Sequence, residues 1–173
     1  MKLIEFDGQE FKIADEALLI RPIRQLFEQD KSKKKEEFWK QISYLWFMCD
    51  PRSSYMYLVN EQERAAEIKK QERLGDDWKP SELLVEAMNI YRSQTITTSA
   101  ILLEGMRKGI DKLSAFLGET TFSEKTVASM TSALKQIPEL AKALSDAEHA
   151  LAKDFATEDK ARGAASKAIG EDI

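Results

Sequence analysis

The residues that could carry acid–base, nucleophilic or metal chemistry are few in this chain. Cys49 is the only cysteine and His149 is the only histidine, so the chain can form neither an internal disulfide nor a zinc site built from thiolates. Cys49 lies in an apolar run and is expected to be a small buried hydrophobe. His149 lies in an Ala-rich, charged helical stretch, where a solvated or half-buried side chain without a catalytic partner is expected.

The carboxylates do not form the pairs that catalysis uses. General acid–base catalysis needs titratable groups whose surroundings shift their pKa values apart, whereas these carboxylates are scattered over amphipathic helical segments. Neighbouring Glu63 and Arg64 are typical of an exposed helix. A metal site in a helical bundle would need a Glu-x-x-His pair, which His149 does not complete. The sequence therefore predicts no catalytic residue, metal site or bound cofactor, and the protein is not expected to be an enzyme.

Composition also excludes several classes of partner. The net charge of −4 provides no cluster of Lys and Arg for nucleic-acid phosphates, and the basic run KSKKKEE is interpreted as the solvated start of a helix. The chain opens without the apolar region of a signal peptide, and its longest apolar run, Tyr44 to Cys49, is too short to span a bilayer. We therefore expect a protein that is cytosolic where it is made and binds no membrane.

Few glycines and prolines interrupt the chain, which has seven Gly and four Pro among 173 residues. This scarcity, with abundant Ala, Leu, Glu and Lys, predicts a mainly α fold, a helical bundle with one long helix and an N-terminal β-hairpin. The hairpin arm covers residues 1–13, with Asp7-Gly8 as a two-residue turn. That turn pairs Ile4 with Phe11. A lone hairpin is marginal in water, so its apolar face is expected to pack outside its own subunit.

The helical domain is expected over residues 14–155. Its longest helix is predicted from Ser81 to about Leu117, because a seam of apolar and small residues repeats there at spacings of four and three. A further helix is expected to be interrupted at Pro138. The segment 156–173 is rich in Ala, Gly and charge, and it predicts an extended tail that becomes ordered only in an assembly.

The stretch FWKQISYLWFMCDPRSSYMY concentrates aromatic residues between Phe38 and Tyr57. Its helix is apolar on every side, which predicts burial all round, and Asp50-Pro51 ends it. Both a plain core and a core shared with a partner fit this pattern. Aromatic residues and Arg dominate the centres of protein interfaces, so a subunit contact at this turn is the sharper hypothesis.

Four stretches carry a resemblance to a known family. FDGQEFKIADEALLIRPIR, YLWFMCDPRSSY, NEQERAAEIKK and KARG resemble neck or tail-ring virion proteins of crAss-like and related short-tailed bacteriophages. The resemblance spans most of the chain and is strongest from Phe6 to Lys70. It implies a homo-oligomeric ring, expected to be a dodecamer, that joins the portal to the tail and lines the DNA exit channel. The implied partners are other copies, the portal and further neck and tail proteins, with passing DNA contacted without sequence specificity.

The resemblance places the protein in the neck or tail of the virion, and in the host cytoplasm during assembly. The residues expected at the subunit interface come from the hairpin face, the turn and the tail: Ile4, Phe6, Phe11, Ile13, Trp39, Asp50, Arg52, Ser53, Ser54, Tyr55, Arg162 and Gly163. The alternative function is a cytosolic helical adaptor or regulatory protein without a virion role, whose aromatic helix only fills its core.

Overall fold

The computed structural model describes residues 3–6, 8, 10–75, 77–121 and 123–170, with side chains up to Thr157. The fold is mainly helical with an N-terminal antiparallel β-hairpin, which confirms the predicted fold class. The chain divides into two compact units, unit 1 (Met1–Ile96) and unit 2 (Thr97–Ile173). Unit 1 contains β1 (Ile4–Phe6), β2 (Phe11–Ile13), a 3-10 helix (Asp15–Leu19), α1 (Arg21–Gln29), α2 (Glu36–Cys49), α3 (Glu61–Gln71) and α4 (Glu82–Thr95). Unit 2 contains α5 (Thr98–Glu119) and α6 (Val127–Gly170).

The hairpin has a different register from the predicted one. Ile4 pairs with Ile13 and Phe6 pairs with Phe11, so four residues rather than two separate the strands, and the expected pairing of Ile4 with Phe11 is wrong. The observed register sets the two phenylalanines directly opposite each other, and their stacked rings have centroids 4.5 Å apart. Cross-strand aromatic pairs stabilise antiparallel strands, which favours this register over the tighter turn.

The apolar face of the hairpin packs on the chain's own α2. The rings of Phe6 and Phe11 contact those of Trp46 and Phe47, with centroids 5.3 to 5.8 Å apart. Ile4 is fully buried. The expectation that this face must pack outside its own subunit is therefore wrong, because the aromatic side of α2 already covers it.

The core of unit 1 is built around α2. Every residue from Tyr44 to Cys49 is buried, which confirms the predicted burial on all sides for the second half of α2. In the first half, Glu36, Glu37 and Lys40 are exposed. The helix packs against α3 and α4, and α1 also packs against α4. Asn60 caps α3, because its side chain accepts hydrogen bonds from the backbone N–H groups of Gln62 and Glu63.

The predicted long helix is broken between the two units. α4 ends at Thr95 and α5 begins at Thr98, so a single helix from Ser81 to about Leu117 is wrong. Four consecutive β-branched residues, Thr95 to Thr98, have weak helix propensity. Thr97 then starts a new helix, since its hydroxyl accepts a hydrogen bond from the Ala100 N–H at 3.1 Å. The single helical domain expected over residues 14–155 divides at this break.

Unit 2 is a helical hairpin of α5 and α6. Its small core joins the beginning of α5 to a later part of α6 and contains Ala100, Leu103, Ala147, Leu151 and Phe155. Arg107 and Glu148 form an ion pair across the two helices at 3.1 Å. Pro138 lies inside α6 and does not interrupt it, contrary to the sequence prediction; its side chain is exposed.

The backbone of α6 continues to Gly170, so the extended tail expected over residues 156–173 is wrong for residues 156–170. The tail is rich in Ala and Lys, which have strong helix propensity and prolong a helix that is already formed. Residues 171–173 lie outside the described part of the chain. That the tail becomes ordered only in an assembly stays a prediction.

Candidate functional site

The turn after α2 is organised around the buried carboxylate of Asp50, which is fully buried. Its Oδ1 accepts hydrogen bonds from the backbone N–H and the Nε of Arg52 at 2.9 and 2.8 Å. Its Oδ2 accepts from Arg52 Nη2 at 2.7 Å and from the hydroxyl of Tyr91 at 2.6 Å. Arg52 Nη2 also donates to the carbonyl of Ile4 at 3.0 Å. One ion pair therefore ties the end of α2 to β1 and α4.

A second arginine, which is buried, binds the C-terminal end of α2. Arg64 of α3 donates from Nη1 to the carbonyl of Met48 at 3.2 Å, and from Nε and Nη2 to the carbonyl of Leu58. The hydroxyl of Ser53 donates to the carbonyl of Phe47 at 2.8 Å. The last carbonyls of a helix lack partners within the helix, so these donors stabilise its end. Arg64 is buried, and the expectation of an ordinary exposed residue is wrong.

The pKa values of Tyr91, Cys49 and Arg52, which lie at or near this turn, are shifted upward. Burial, followed by the charge of Asp50 and the hydrogen bond to it, raises the pKa of Tyr91 well above its usual range. Burial also raises the pKa of Cys49 to about 11. Burial alone would lower the pKa of Arg52, but the hydrogen bond and charge of Asp50 outweigh it and raise that pKa. Cys49 and Tyr91 are therefore neutral, and Arg52 is charged, at physiological pH. None of these three groups changes its charge near neutral pH.

The aromatic cluster continues from the hairpin to the turn. Phe47 contacts Tyr55 edge to face, with ring centroids 5.0 Å apart, and the hydroxyl of Tyr55 donates to Glu72 at 3.0 Å. Burial, followed by the hydrogen bond to Glu72, raises the pKa of Tyr55 to about 12. The indole Nε1 of Trp46 is buried and has no hydrogen-bond partner among the described residues. The stretch that the sequence singled out is therefore mainly the core of unit 1.

The residues expected at a subunit interface fall into distinct groups in the structure. Ile4, Asp50 and Ser53 are buried by their own chain, so the expectation that these three meet another subunit is wrong. Half-buried side chains belong to Phe6, Phe11, Ile13, Trp39, Arg52 and Tyr55, and Ser54 is exposed. Arg162 and Gly163 lie in α6, with side chains outside the described part of the chain. The interface role of the residues that are not buried stays a prediction.

Ten large apolar side chains are exposed among the described residues, and four of them, Leu19, Tyr57, Val85 and Ile96, lie on unit 1. The other six lie on unit 2: Ile101, Leu102 and Phe116 on α5, and Val127, Leu134 and Ile137 on α6. Leu102 is 58% exposed and Leu134 is 48% exposed. The sequence seam from Leu84 to Phe116 is therefore buried only in its first half, on α4. The sequence pattern placed Leu102 and Phe116 in a helix-packing seam, and neither residue was among those expected at the subunit interface.

Several other kinds of site find no support in the described part of the chain. No group of three or more His, Cys, Asp and Glu side chains there is arranged to hold a metal ion. No helix in that part is long and apolar enough to cross a membrane. An open depression of about 460 Å³ beside α1 is lined by Gln25, Glu28, Gln29 and Lys31. His149 is exposed, with Nδ1 3.0 Å from the carbonyl of Ser145.

Comparison with known proteins adds no relative to these observations. No protein-family model, curated protein or solved structure matches this chain.

Proposed function

We propose that the chain is a structural subunit of a bacteriophage neck or tail ring, which joins the portal to the tail and surrounds the DNA exit channel. In this function the protein assembles with copies of itself and carries out no catalysis. The single observation that carries the proposal is that unit 2 exposes six large apolar side chains, Ile101, Leu102, Phe116, Val127, Leu134 and Ile137.

Large apolar side chains exposed on a subunit favour contact with another chain. Monomeric soluble proteins rarely expose contiguous apolar patches larger than a few hundred Å², and larger patches mark protein or membrane interaction sites. The apolar residues of unit 2 are divided between two helices. A ring needs two different complementary surfaces on each subunit, because its contacts are head to tail. Apolar side chains exposed on both α5 and α6 are compatible with this requirement.

Unit 1 has the properties of a scaffold in this proposal. Its central carboxylate, Asp50, is held by Arg52 and Tyr91, and Arg64 holds the end of α2. These contacts fix one conformation of the turn. The net charge of −4 is compatible with a channel wall that lets DNA pass without sequence-specific binding.

A cytosolic adaptor or regulator could present the same apolar surface to a different protein. Cryo-electron microscopy of the parent particle separates the two functions, because it shows whether this subunit forms a ring between portal and tail. The proposal predicts a closed ring of identical subunits at that position. A complete particle that lacks the subunit, or a subunit bound there as isolated monomers, would contradict it.

A further inference from the structure

The basic run KSKKKEE lies mostly on the loop between α1 and α2. The sequence pattern indicates the solvated start of a helix, but α2 begins at Glu36, after every lysine of the run. Residues 30–35 are therefore a connection, which we call the lysine loop. Lys35 is half-buried, whereas Lys31, Lys33 and Lys34 are exposed.

Lys35 fastens the lysine loop to α1. Its Nζ donates to the carbonyl of Phe27 at 3.0 Å and to the carbonyl of Asp30, and it lies 4.5 Å from the centre of the Phe27 ring. The last carbonyls of a helix lack partners within the helix, and a cation near them is favourable. The charge of Lys35 is therefore engaged within the protein.

Asp30 fastens the same loop to the start of α2. Its Oδ2 accepts a hydrogen bond from the backbone N–H of Phe38 at 3.0 Å, and its Oδ1 accepts one from the N–H of Ser32 at 2.8 Å. The hydroxyl of Ser32 accepts a hydrogen bond from the N–H of Glu36 at 3.2 Å. Side chains thus hold the loop at both helices, and the carboxylate of Asp30 faces backbone donors.

The other three lysines of the loop are not engaged in this way. Within the part of the chain that the structure describes, Lys31, Lys33 and Lys34 form no ion pair and no side-chain hydrogen bond. Only three positions of the chain separate the first from the last. The fixed loop therefore presents three neighbouring positive charges to the solvent.

The acidic residues that flank the run do not neutralise these three charges. Glu28 lies 4.0 Å from Arg24, and Glu37 lies 2.7 Å from Lys40, so each has a basic partner of its own. Glu36 is exposed and offsets one charge. The loop is therefore positive, although the chain as a whole carries −4, and the net charge of the chain does not describe this surface.

The surroundings of the loop favour one class of polyanion. A membrane-binding surface also inserts apolar side chains, whereas no large apolar side chain of residues 21–49 is exposed. Single-stranded nucleic acid is held by aromatic rings that stack on its bases, and Phe27, Phe38 and Trp39 are buried or half-buried. Lysines alone suit the closely spaced phosphates of duplex DNA.

We propose that the lysine loop binds the phosphate backbone of duplex DNA without reading its sequence. This inference rests on the proposed ring function and names the surface that faces the DNA. Phosphate contacts position a protein on DNA and carry no sequence information. A single loop binds weakly, and a ring brings several loops to one duplex, which raises the overall affinity. Backbone contacts of this kind let DNA slide past the protein.

The test measures the binding of the full-length protein to a fluorescent duplex of about 30 base pairs, by anisotropy at NaCl concentrations from about 20 to 200 mM. Three neutralised phosphates give a slope of about −2.7 in a plot of log K against log salt for each loop in contact. The variant with Lys31→Gln, Lys33→Gln and Lys34→Gln should lose this slope. At about 50 mM salt it should bind at least about 10-fold more weakly.

A matched control removes the same number of charges elsewhere. Lys112→Gln, Lys135→Gln and Lys142→Gln together change three exposed lysines of unit 2, and this variant should keep the wild-type salt slope. Circular dichroism of both variants checks that the helices remain formed. If the control loses as much binding as the loop variant, net charge rather than the loop governs binding, and the inference is overturned.

The outcomes separate this inference from the proposed function. If the wild type does not bind the duplex at low salt, or the loop variant binds it equally well, the inference is wrong while the ring function stands. Tighter binding to vesicles of phosphatidylserine and phosphatidylcholine than to the duplex would also overturn the inference. If only the loop variant loses DNA binding but the particle contains no ring of this subunit, the function is wrong while the inference stands.

Discussion

Tyr91→Phe tests whether the buried carboxylate of Asp50 holds unit 1 together. The substitution removes one hydroxyl, which donates to Asp50 Oδ2 at 2.6 Å, and keeps the aromatic ring in its fully buried site. A hydrogen bond to a charged group contributes about 1.5–3 kcal/mol. Arg52 continues to pair with the carboxylate, so the loss should stay below the 3–5 kcal/mol of a broken buried ion pair. We expect a decrease of about 2 kcal/mol in the free energy of unfolding.

The measurement is urea and thermal unfolding followed by tryptophan fluorescence. Trp39, Trp46 and Trp78 are the three tryptophans of the chain and all lie in unit 1, so the signal reports that unit alone. For a unit of this size, 2 kcal/mol corresponds to a decrease in the midpoint temperature of about 8–16 °C. Tyr57→Phe is the control, because Tyr57 is 63% exposed and its change should stay within about 0.5 kcal/mol.

The pH dependence gives a second check on the same hydroxyl. The pKa of Tyr91 is raised in the folded state from its ordinary value of 10.0, so its contribution is fully present below that pH. The contribution is lost as the pH rises above 10, because the unfolded chain then ionises first. The stability difference between wild type and Tyr91→Phe should shrink in that range. Equal stability of Tyr91→Phe and Tyr57→Phe at pH 7 would refute the structural role of the Asp50 pair.

Three further predictions concern the hydrogen bonds of Asp30, the thiol of Cys49 and the proline inside α6. Asp30 accepts hydrogen bonds from the N–H groups of Phe38 and Ser32, and these bonds lower its pKa from 3.8 to about 2. The stabilisation by Asp30 is present above pH 3.8 and should be lost as the pH falls towards 2. In urea unfolding at a series of pH values, Asp30→Ala should therefore lose less stability over this range than the wild type. Cys49 is buried with a pKa of about 11, so a thiol reagent at pH 8 should label it only as fast as unit 1 unfolds; rapid labelling of the native protein would contradict this. Pro138→Ala should raise the thermal midpoint of unit 2, measured by circular dichroism, because proline inside a helix costs about 3 kcal/mol; an unchanged midpoint would count against the continuous helix.

Local patterns predicted the elements better than their connections. The extent of α2 and the cap at Asn60 follow from apolar spacing and side-chain chemistry within a few residues. The break at Thr95 to Thr98 was missed, because the spacing of the seam continues through it while the β-branched residues weaken the helix. The hairpin register was missed because the Asp7-Gly8 turn signal says nothing about the aromatic pairing of Phe6 with Phe11.

The candidate sites depended on contacts that are distant in the sequence. Asp50 and Arg52 were predicted at the turn as interface residues, but Tyr91, which donates a hydrogen bond to Asp50, lies 41 residues away in the sequence. The burial of Arg64 could have been predicted from the sequence, because Arg64 precedes the apolar Ile68 by four positions and therefore lies on the same face of α3. The exposed apolar residues of unit 2 could not be distinguished from buried ones in the sequence, because spacing alone does not say which apolar face of a helix packs against another part of the chain.

The mass of the purified wild-type protein in solution tests the central claim of self-assembly most directly. Light scattering coupled to size-exclusion chromatography gives the molar mass at each concentration. We expect species whose masses are multiples of the 19.7 kDa chain and increase with concentration, because head-to-tail contacts add subunits until a ring closes. A constant mass of 19.7 kDa over the whole concentration range would contradict it.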